Sequence, residues 1–168
     1  MKVIFCECLQ TIIVKGGNFM PDYTGKDGDT VKLLRECDAG IKMGISSIDD
    51  VIENVNDSQF RDKLSRCKIE HEKLASEILN LLDYHDDDGK DPNLMAKGMS
   101  WIKTNLRIMA DPSDKSIADL MTDGCNMGVK SLEKYLNQYQ SADEKSKDIT
   151  KRLIKLEEKL IEDIKEYL

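Results

Sequence analysis

The sequence predicts an all-α protein, a four-helix bundle built from two copies of an antiparallel helix pair. Residues 40–45 (GIKMGI) and 124–129 (GCNMGV) share a Gly-x-x-Met-Gly frame that ends in a β-branched residue. A second match, residues 72–78 (EKLASEI) with 158–164 (EKLIEDI), follows in each copy. Self-similarity at a nearly constant offset indicates repeated structural units. Two helix pairs joined by a long connection make a four-helix bundle with a crossover.

Apolar residues at three- and four-residue spacing predict the individual helices. The first helix is predicted over residues 30–55, after an N-cap within Gly28-Asp29-Thr30. The second is predicted to begin at a cap within Asn56-Asp57-Ser58 and to end near Leu82. The first hairpin therefore occupies residues 29–83.

The second half of the chain predicts a shorter helix and another hairpin. The shorter helix spans residues 94–109, carries Trp101 and lies in the crossover at 84–112. A long helix follows over residues 114–139, and the capping box Ser141-x-x-Glu144 predicts the start of the last helix. The bundle is thus predicted to be one domain, residues 29–168, with its second hairpin at 113–168.

Residues 1–28 are predicted to be an extension outside the bundle. Met1 to Val14 is apolar, but no small-residue cleavage site of a signal peptide follows it. The sequence KGGNF directly before Met20 corresponds to a translated purine-rich ribosome-binding site and spacer. We therefore hypothesise that Met20 is the native start and that residues 1–19 are not native. A short N-terminal strand or tail that packs on the bundle is the alternative.

Composition excludes several classes of function. The formal net charge of −7 over 168 residues disfavours binding to nucleic acid or to an anionic membrane, which needs a basic face. No apolar run approaches the length of about 18 residues that a membrane-spanning helix requires. The five cysteines are an odd number without a Cys-x-x-Cys pair, which predicts reduced thiols in the cytoplasm.

Residues 30–168 resemble the uncharacterised bacterial ferritin-like proteins that are grouped as one domain of unknown function. The resemblance rests on the duplicated glycine motifs and on the helix with Trp101. It implies the ferritin-like fold, with the short extra helix in the crossover. By analogy with the family it also implies an association with stress or with spores.

A ferritin-like di-iron centre needs a Glu from each of two helices and a Glu-x-x-His from each of the other two. Ile41 and Cys125 occupy the positions where relatives place Glu, and Lys68 stands where His71 would need its Glu. The duplication aligns His71 with Glu157, so a second Glu-x-x-His is missing. The sequence therefore predicts a degenerate di-iron site.

Two interpretations of His71, Cys125 and Glu157 are open. Turned toward the bundle centre, they offer an imidazole, a thiolate and a carboxylate, which are acceptable ligands for a single zinc or iron ion. Alternatively, His71 is a buried neutral imidazole satisfied by one hydrogen bond and Cys125 is a small apolar side chain. The second interpretation is favoured.

The four glycines inside helices need a physical reason, because each costs about 1 kcal/mol relative to alanine. Gly40 with Gly44 and Gly124 with Gly128 lie one turn apart on equivalent helices. The favoured reason is close approach of two helix backbones. The alternative is that the glycines clear space beside a bound ion or ligand.

Two further patterns are assigned to structure. Asp86-x-Asp88-Gly89 lacks the first and the last ligand of a calcium loop and predicts an acidic turn. Five methionines are predicted to fill the core, with an adaptable binding surface as the alternative: Met95, Met99, Met109, Met121 and Met127.

The sequence therefore predicts a cytoplasmic bundle that is a non-catalytic binding or structural protein. No cofactor is expected, and the partner is an unknown protein or a second copy of the chain. A metal-binding or redox-active ferritin-like protein, with zinc or iron at His71, Cys125 and Glu157, is the alternative.

Overall fold

Four long α-helices and no β-strand make up the part of the chain that this computed structural model describes, residues 26–89 and 113–168. The helices are α1 (Lys26–Val51), α2 (Ser58–Tyr84), α3 (Asp114–Gln138) and α4 (Glu144–Ile164). Short 3₁₀ turns follow α1 and α4 at Ile52–Asn54 and Lys165–Tyr167. The prediction of an all-α protein is confirmed over these ranges.

Two predictions lie outside the described residues. They are the start at Met20 and the short helix over residues 94–109 with Trp101. The first long helix begins at Lys26, within the segment that the sequence assigns to the extension. It therefore starts earlier than predicted.

The predicted N-cap of the first helix is wrong. Gly28-Asp29-Thr30 lies inside α1. The Asp29 carboxylate accepts a hydrogen bond from the backbone N–H of Ser141 at 3.1 Å, and the Thr30 hydroxyl accepts one from that of Asp143 at 2.9 Å. These two side chains thus hold the connection between α3 and α4, a role that local sequence does not reveal.

The predicted capping box at Ser141-x-x-Glu144 is also wrong. Asp143 is the N-cap of α4, and its carboxylate accepts a hydrogen bond from the Ser146 N–H at 2.7 Å. The predicted cap before α2 is confirmed, because the Asp57 carboxylate accepts from the Phe60 N–H at 2.8 Å. Each carboxylate satisfies an N–H that has no partner within the helix.

Helix α2 is apolar along one side. In α2 the buried residues recur at three- and four-residue steps, at Phe60, Leu64, Cys67, His71, Leu74, Ile78 and Leu82. None of the helices within the described ranges combines the length and the apolar character that a membrane-spanning helix needs.

The buried side chains form two apolar clusters that lie at different levels along the helices. One contains Phe60, Leu64, Ile117, Leu160 and Ile164. The other contains Leu33, Leu34, Ile78, Ile149 and Leu153. Every helix contributes to both clusters. Helix α1 packs on α2 and α3 packs on α4, and contacts of α2 with α4 and of α1 with α3 join the two pairs.

Between the two clusters, each helix contributes a residue that is not an apolar core residue. These residues are Gly44 of α1, His71 of α2, Gly128 of α3 and Glu157 of α4. His71 and Glu157 are both buried. We call this level of the bundle the polar layer.

The acidic segment after α2 forms a turn, as predicted, and hydrogen bonds tie this turn to α1. The Asp87 carboxylate accepts hydrogen bonds from Nε of Arg35 at 2.8 Å and from the Gly89 N–H at 2.9 Å. Gly89 has a φ of 85°, a conformation that favours glycine. The turn is thus a structural connection between α1 and α2.

Candidate functional site

The two charged residues of the polar layer contact each other directly. The Nε2 atom of His71 lies 3.0 Å from Oε1 of Glu157, and its Nδ1 atom lies 3.0 Å from the carbonyl oxygen of Cys67. Only 1% of His71 is exposed. Both ring nitrogens are therefore held by protein oxygens in the bundle interior.

These contacts determine the protonation state of His71. A carbonyl oxygen and a carboxylate only accept hydrogen bonds, so these two contacts favour a proton on each ring nitrogen. Burial by itself lowers the pKa of His71, but side-chain hydrogen bonds to Cys67, whose Sγ atom lies 3.5 Å from Nδ1, and to Glu157, together with the charge of Glu157, raise it to about 10. His71 is thus an imidazolium at neutral pH. The prediction of a neutral imidazole with a single hydrogen bond is wrong.

The described cysteines are free thiols. Burial, followed by the charge of Glu157 and a hydrogen bond to it, raises the pKa of Cys125 far above its usual range. Burial also raises the pKa of Cys37 to about 11, and its Sγ atom lies 3.2 Å from the Thr150 hydroxyl. Because the thiolate is the reactive form of cysteine, neither Cys37 nor Cys125 is activated as a nucleophile.

A cavity of about 510 Å³ lies beside the polar layer, between α1 and α3. It is lined by the four motif glycines and by the three predicted site residues, His71, Cys125 and Glu157, which the structure thus brings to one place. Apolar walls come from Met43, Ile48, Met121, Leu132, Leu153 and Leu160. Ligand pockets in proteins typically have this size and this mainly apolar lining with a few polar groups.

Gly40, Gly44 and Gly128 clear space, contrary to the favoured prediction. A Cβ atom added to Gly40 meets no atom of the described residues within 4 Å, so no described backbone approaches closely there. A Cβ at Gly44 lies 3.0 Å from Nε2 of His71, and one at Gly128 lies 3.6 Å from Cδ of Glu157. Gly44 and Gly128 therefore make room for the ion pair, whereas Gly40 leaves open volume. The alternative explanation in the sequence, space beside a ligand, agrees with this arrangement.

Alanine substitution is expected to change the free energy of unfolding in opposite directions at the two glycines of α1. Gly40→Ala raises the free energy of unfolding by about 1 kcal/mol, because the helix gains propensity and the methyl group enters open space. Gly44→Ala lowers it by about 1–3 kcal/mol, because hydrogen bonds on both nitrogens hold the His71 ring at 3.0 Å from the new atom. Urea unfolding of both variants measures the difference. Equal stabilisation by both substitutions would mean that the ring moves freely.

The arrangement does not favour a metal at His71, Cys125 and Glu157. An imidazolium has no lone pair for a metal, and the Cys125 thiol holds its proton strongly. Within residues 26–89 and 113–168, no three His, Cys, Asp or Glu side chains are placed to hold an ion together. Zinc or iron at this site stays a prediction. Elemental analysis of protein purified without chelator, beside His71→Ala and Cys125→Ala, tests it.

Two cavity residues are not among the sequence-predicted site residues. Glu36 and Tyr135 line the cavity from α1 and α3, and burial followed by the charge of Glu36 raises the pKa of Tyr135. Met127, which is predicted to fill the core, is 50% exposed and lines the cavity. Helical spacing from the glycine motifs could have identified Glu36 and Tyr135. Glu36 lies one turn before Gly40, and Tyr135 lies two turns after Gly128.

Comparison of this chain with protein-family models, with curated proteins and with solved structures yields no match. The function must therefore be argued from the cavity and the residues around it.

Proposed function

We propose that this protein is a non-catalytic binding protein whose cavity between α1 and α3 holds an apolar small molecule. In this proposal the chain is a ferritin-like bundle that arose by duplication, has a crossover helix and works in the cytoplasm. Its di-iron site is degenerate. In the polar layer an ion pair takes the place of the metal centre. Its cation, His71, and its anion, Glu157, lie on the equivalent helices α2 and α4.

The open volume at Gly40 is the observation that carries the proposal. Glycine in a helix interior costs about 1 kcal/mol relative to alanine. At Gly40 no packing contact within residues 26–89 and 113–168 offsets this cost, because a Cβ atom would meet none of their atoms within 4 Å. The benefit of the glycine is therefore the volume itself, which is part of a cavity of about 510 Å³.

The chemistry of the polar layer supports binding over catalysis. His71 is protonated and held at both nitrogens, so it is not available as a general base near neutral pH. The Cys125 thiol is not ionised. Both side chains can only position or contact a ligand in the state that the structure describes.

Titration with Nile red, a neutral dye that fluoresces in apolar surroundings, tests the proposal. We expect saturable binding of one dye per chain. Gly40→Leu fills the cavity and is expected to weaken binding at least tenfold without lowering the melting temperature. Asn126→Leu is the matched control, because this exposed residue of α3 does not line the cavity.

Two outcomes would overturn the proposal. One is an absence of saturable binding to the wild-type chain. The other is equal binding by Gly40→Leu and Asn126→Leu, because the dye would then be held on the surface and not in the cavity.

A further inference from the structure

Glu157 is the charged side chain of the polar layer that a ligand in the cavity can reach. Its side chain lines the cavity and is 11% exposed, against 1% for the side chain of His71. Both ring nitrogens of His71 are already engaged, by Glu157 and by the carbonyl oxygen of Cys67. A polar group of a ligand would therefore meet the Glu157 carboxylate and not the imidazolium.

Two glycines keep the approach to this carboxylate open. A Cβ atom at Gly44 would lie 3.7 Å from Oε1 of Glu157, and one at Gly128 would lie 3.8 Å from the same oxygen. Because glycine has no Cβ atom, neither α1 nor α3 covers the carboxylate with a side chain at these positions. Both glycines line the cavity, so the cavity reaches Glu157 between these two helices.

The carboxylate can accept more hydrogen bonds than its neighbours supply. When ionised it offers about four acceptor positions on its two oxygens and no donor. Nε2 of His71 donates to Oε1 at 3.0 Å, and the Cys125 thiol is a weak, neutral donor beside the same group. In the part of the chain that the structure describes, these two donors leave about half of the acceptor positions for a ligand.

The charge balance of the polar layer favours a neutral donor. One imidazolium and one carboxylate already form a pair. A ligand ammonium group would have to lose its hydration and compete with His71 for the same anion. A ligand carboxylate would lie beside Glu157 as a like charge in a partly desolvated site. A hydroxyl group has neither cost, and its hydrogen bond to an ionised acceptor is stronger than one between neutral groups.

We infer that the cavity takes an apolar alcohol, which donates its hydroxyl hydrogen to the Glu157 carboxylate and places its apolar body against the walls of the cavity. The inference rests on the proposed function, because it requires that the cavity binds a small molecule. It adds the chemical group by which the ligand is recognised.

Three ligands with eight carbon atoms test the inference. They are octanol, its isomer heptyl methyl ether, which has no hydroxyl hydrogen, and octylamine, which is an ammonium ion at neutral pH. Each is titrated into the full chain by calorimetry at 0.15 M salt, which screens attraction of the amine to the negatively charged chain. We expect octanol to bind about tenfold more tightly than the ether, because the ether cannot donate to a charged acceptor. The amine is expected to bind more weakly than octanol.

Substitutions locate the hydroxyl group of the ligand. In Glu157→Gln the preference for octanol over the ether is expected to fall from about tenfold to about threefold, since a neutral acceptor forms a weaker hydrogen bond. Glu158→Gln is the matched control and is expected to keep the preference, because this exposed neighbour in α4 does not line the cavity. The variant with His71→Leu and Glu157→Leu is expected to bind both ligands without preference. A ratio of two affinities is compared, so a general loss of stability does not imitate these results.

The possible failures are distinguishable. If Nile red binds but octanol shows no preference over the ether, or if the preference survives in the double variant, this inference is wrong and the proposed function stands. The same holds if Glu158→Gln lowers the preference as much as Glu157→Gln, or if octylamine binds more tightly than octanol. If Nile red binds but none of the three ligands does, the inference is again wrong. If neither Nile red nor any of the three binds, both proposals are wrong.

Discussion

Glu157→Ala is expected to lower the free energy of unfolding by about 3–5 kcal/mol, the usual cost of removing one partner of a buried ion pair. The substitution leaves the His71 imidazolium in the bundle interior without its anion. Urea unfolding at pH 6.5, followed by circular dichroism, measures the loss.

A double variant separates the ion pair from simple loss of side-chain volume. His71→Leu with Glu157→Leu replaces both charges by apolar side chains, and such replacements of a buried pair are often neutral or stabilising. We therefore expect the double variant to recover most of the stability that Glu157→Ala loses. Glu157→Gln is expected to lose less than Glu157→Ala, because its amide can donate to a neutral imidazole. A double variant as unstable as Glu157→Ala would show that packing, and not unpaired charge, dominates.

The helices themselves are the part of the fold that sequence predicts best. The predicted second helix is observed as α2, and its buried residues from Phe60 to Ile78 share one side because the helical period is 3.6 residues. The helix ends are predicted less well. Asp29 and Thr30 have the residue types of a cap, but their oxygens accept hydrogen bonds from a connection more than 100 residues away in the chain. Local sequence cannot distinguish these two uses of the same side chain.

The candidate site was partly predictable for a related reason. The duplication aligns His71 with Glu157, and the structure brings both to one level of the bundle together with Cys125. The charge of His71 could not be predicted from its residue type, since burial alone favours the neutral form. The charge depends on the Glu157 carboxylate of α4 and on the Cys67 carbonyl oxygen, one turn before His71 in α2, which contact the two ring nitrogens.

The cavity illustrates the remaining difficulty. A pair of glycines one turn apart is compatible with close helix packing and with open space. In either case the benefit must offset the same unfavourable helix propensity of glycine. The two arrangements differ in which atoms of the neighbouring helices face the glycine. Opposite Gly44 and Gly128 are the side chains of His71 and Glu157, and near Gly40 no side chain in the described part of the chain fills the space. Only the three-dimensional arrangement distinguishes these cases.

The stability of the protein is expected to fall as pH rises from 6.5 to 8.5, by about 2 kcal/mol from His71 alone. The pKa of His71 is about 10 in the folded chain, against an ordinary value of 6.5 that applies to the unfolded chain. A raised folded pKa means that the stabilisation is fully present below pH 6.5. It declines as the unfolded state loses its proton and is lost as pH passes 10. Between pH 6.5 and 8.5 the free energy of unfolding falls with a slope that approaches about 1.4 kcal/mol per pH unit.

The pH window is chosen to isolate His71. Cys37 and Cys125 also have raised pKa values, and they add to the decline once the unfolded thiols ionise, near pH 9. Urea midpoints at pH 6.5, 7.5 and 8.5 therefore report mainly the histidine. The variant with His71→Leu and Glu157→Leu lacks the titrating group and is expected to show a flat profile over the same range. If its profile ran parallel to that of the wild-type chain, the buried imidazolium could not be the source of the pH dependence, and the charge assigned to His71 in the polar layer would be wrong.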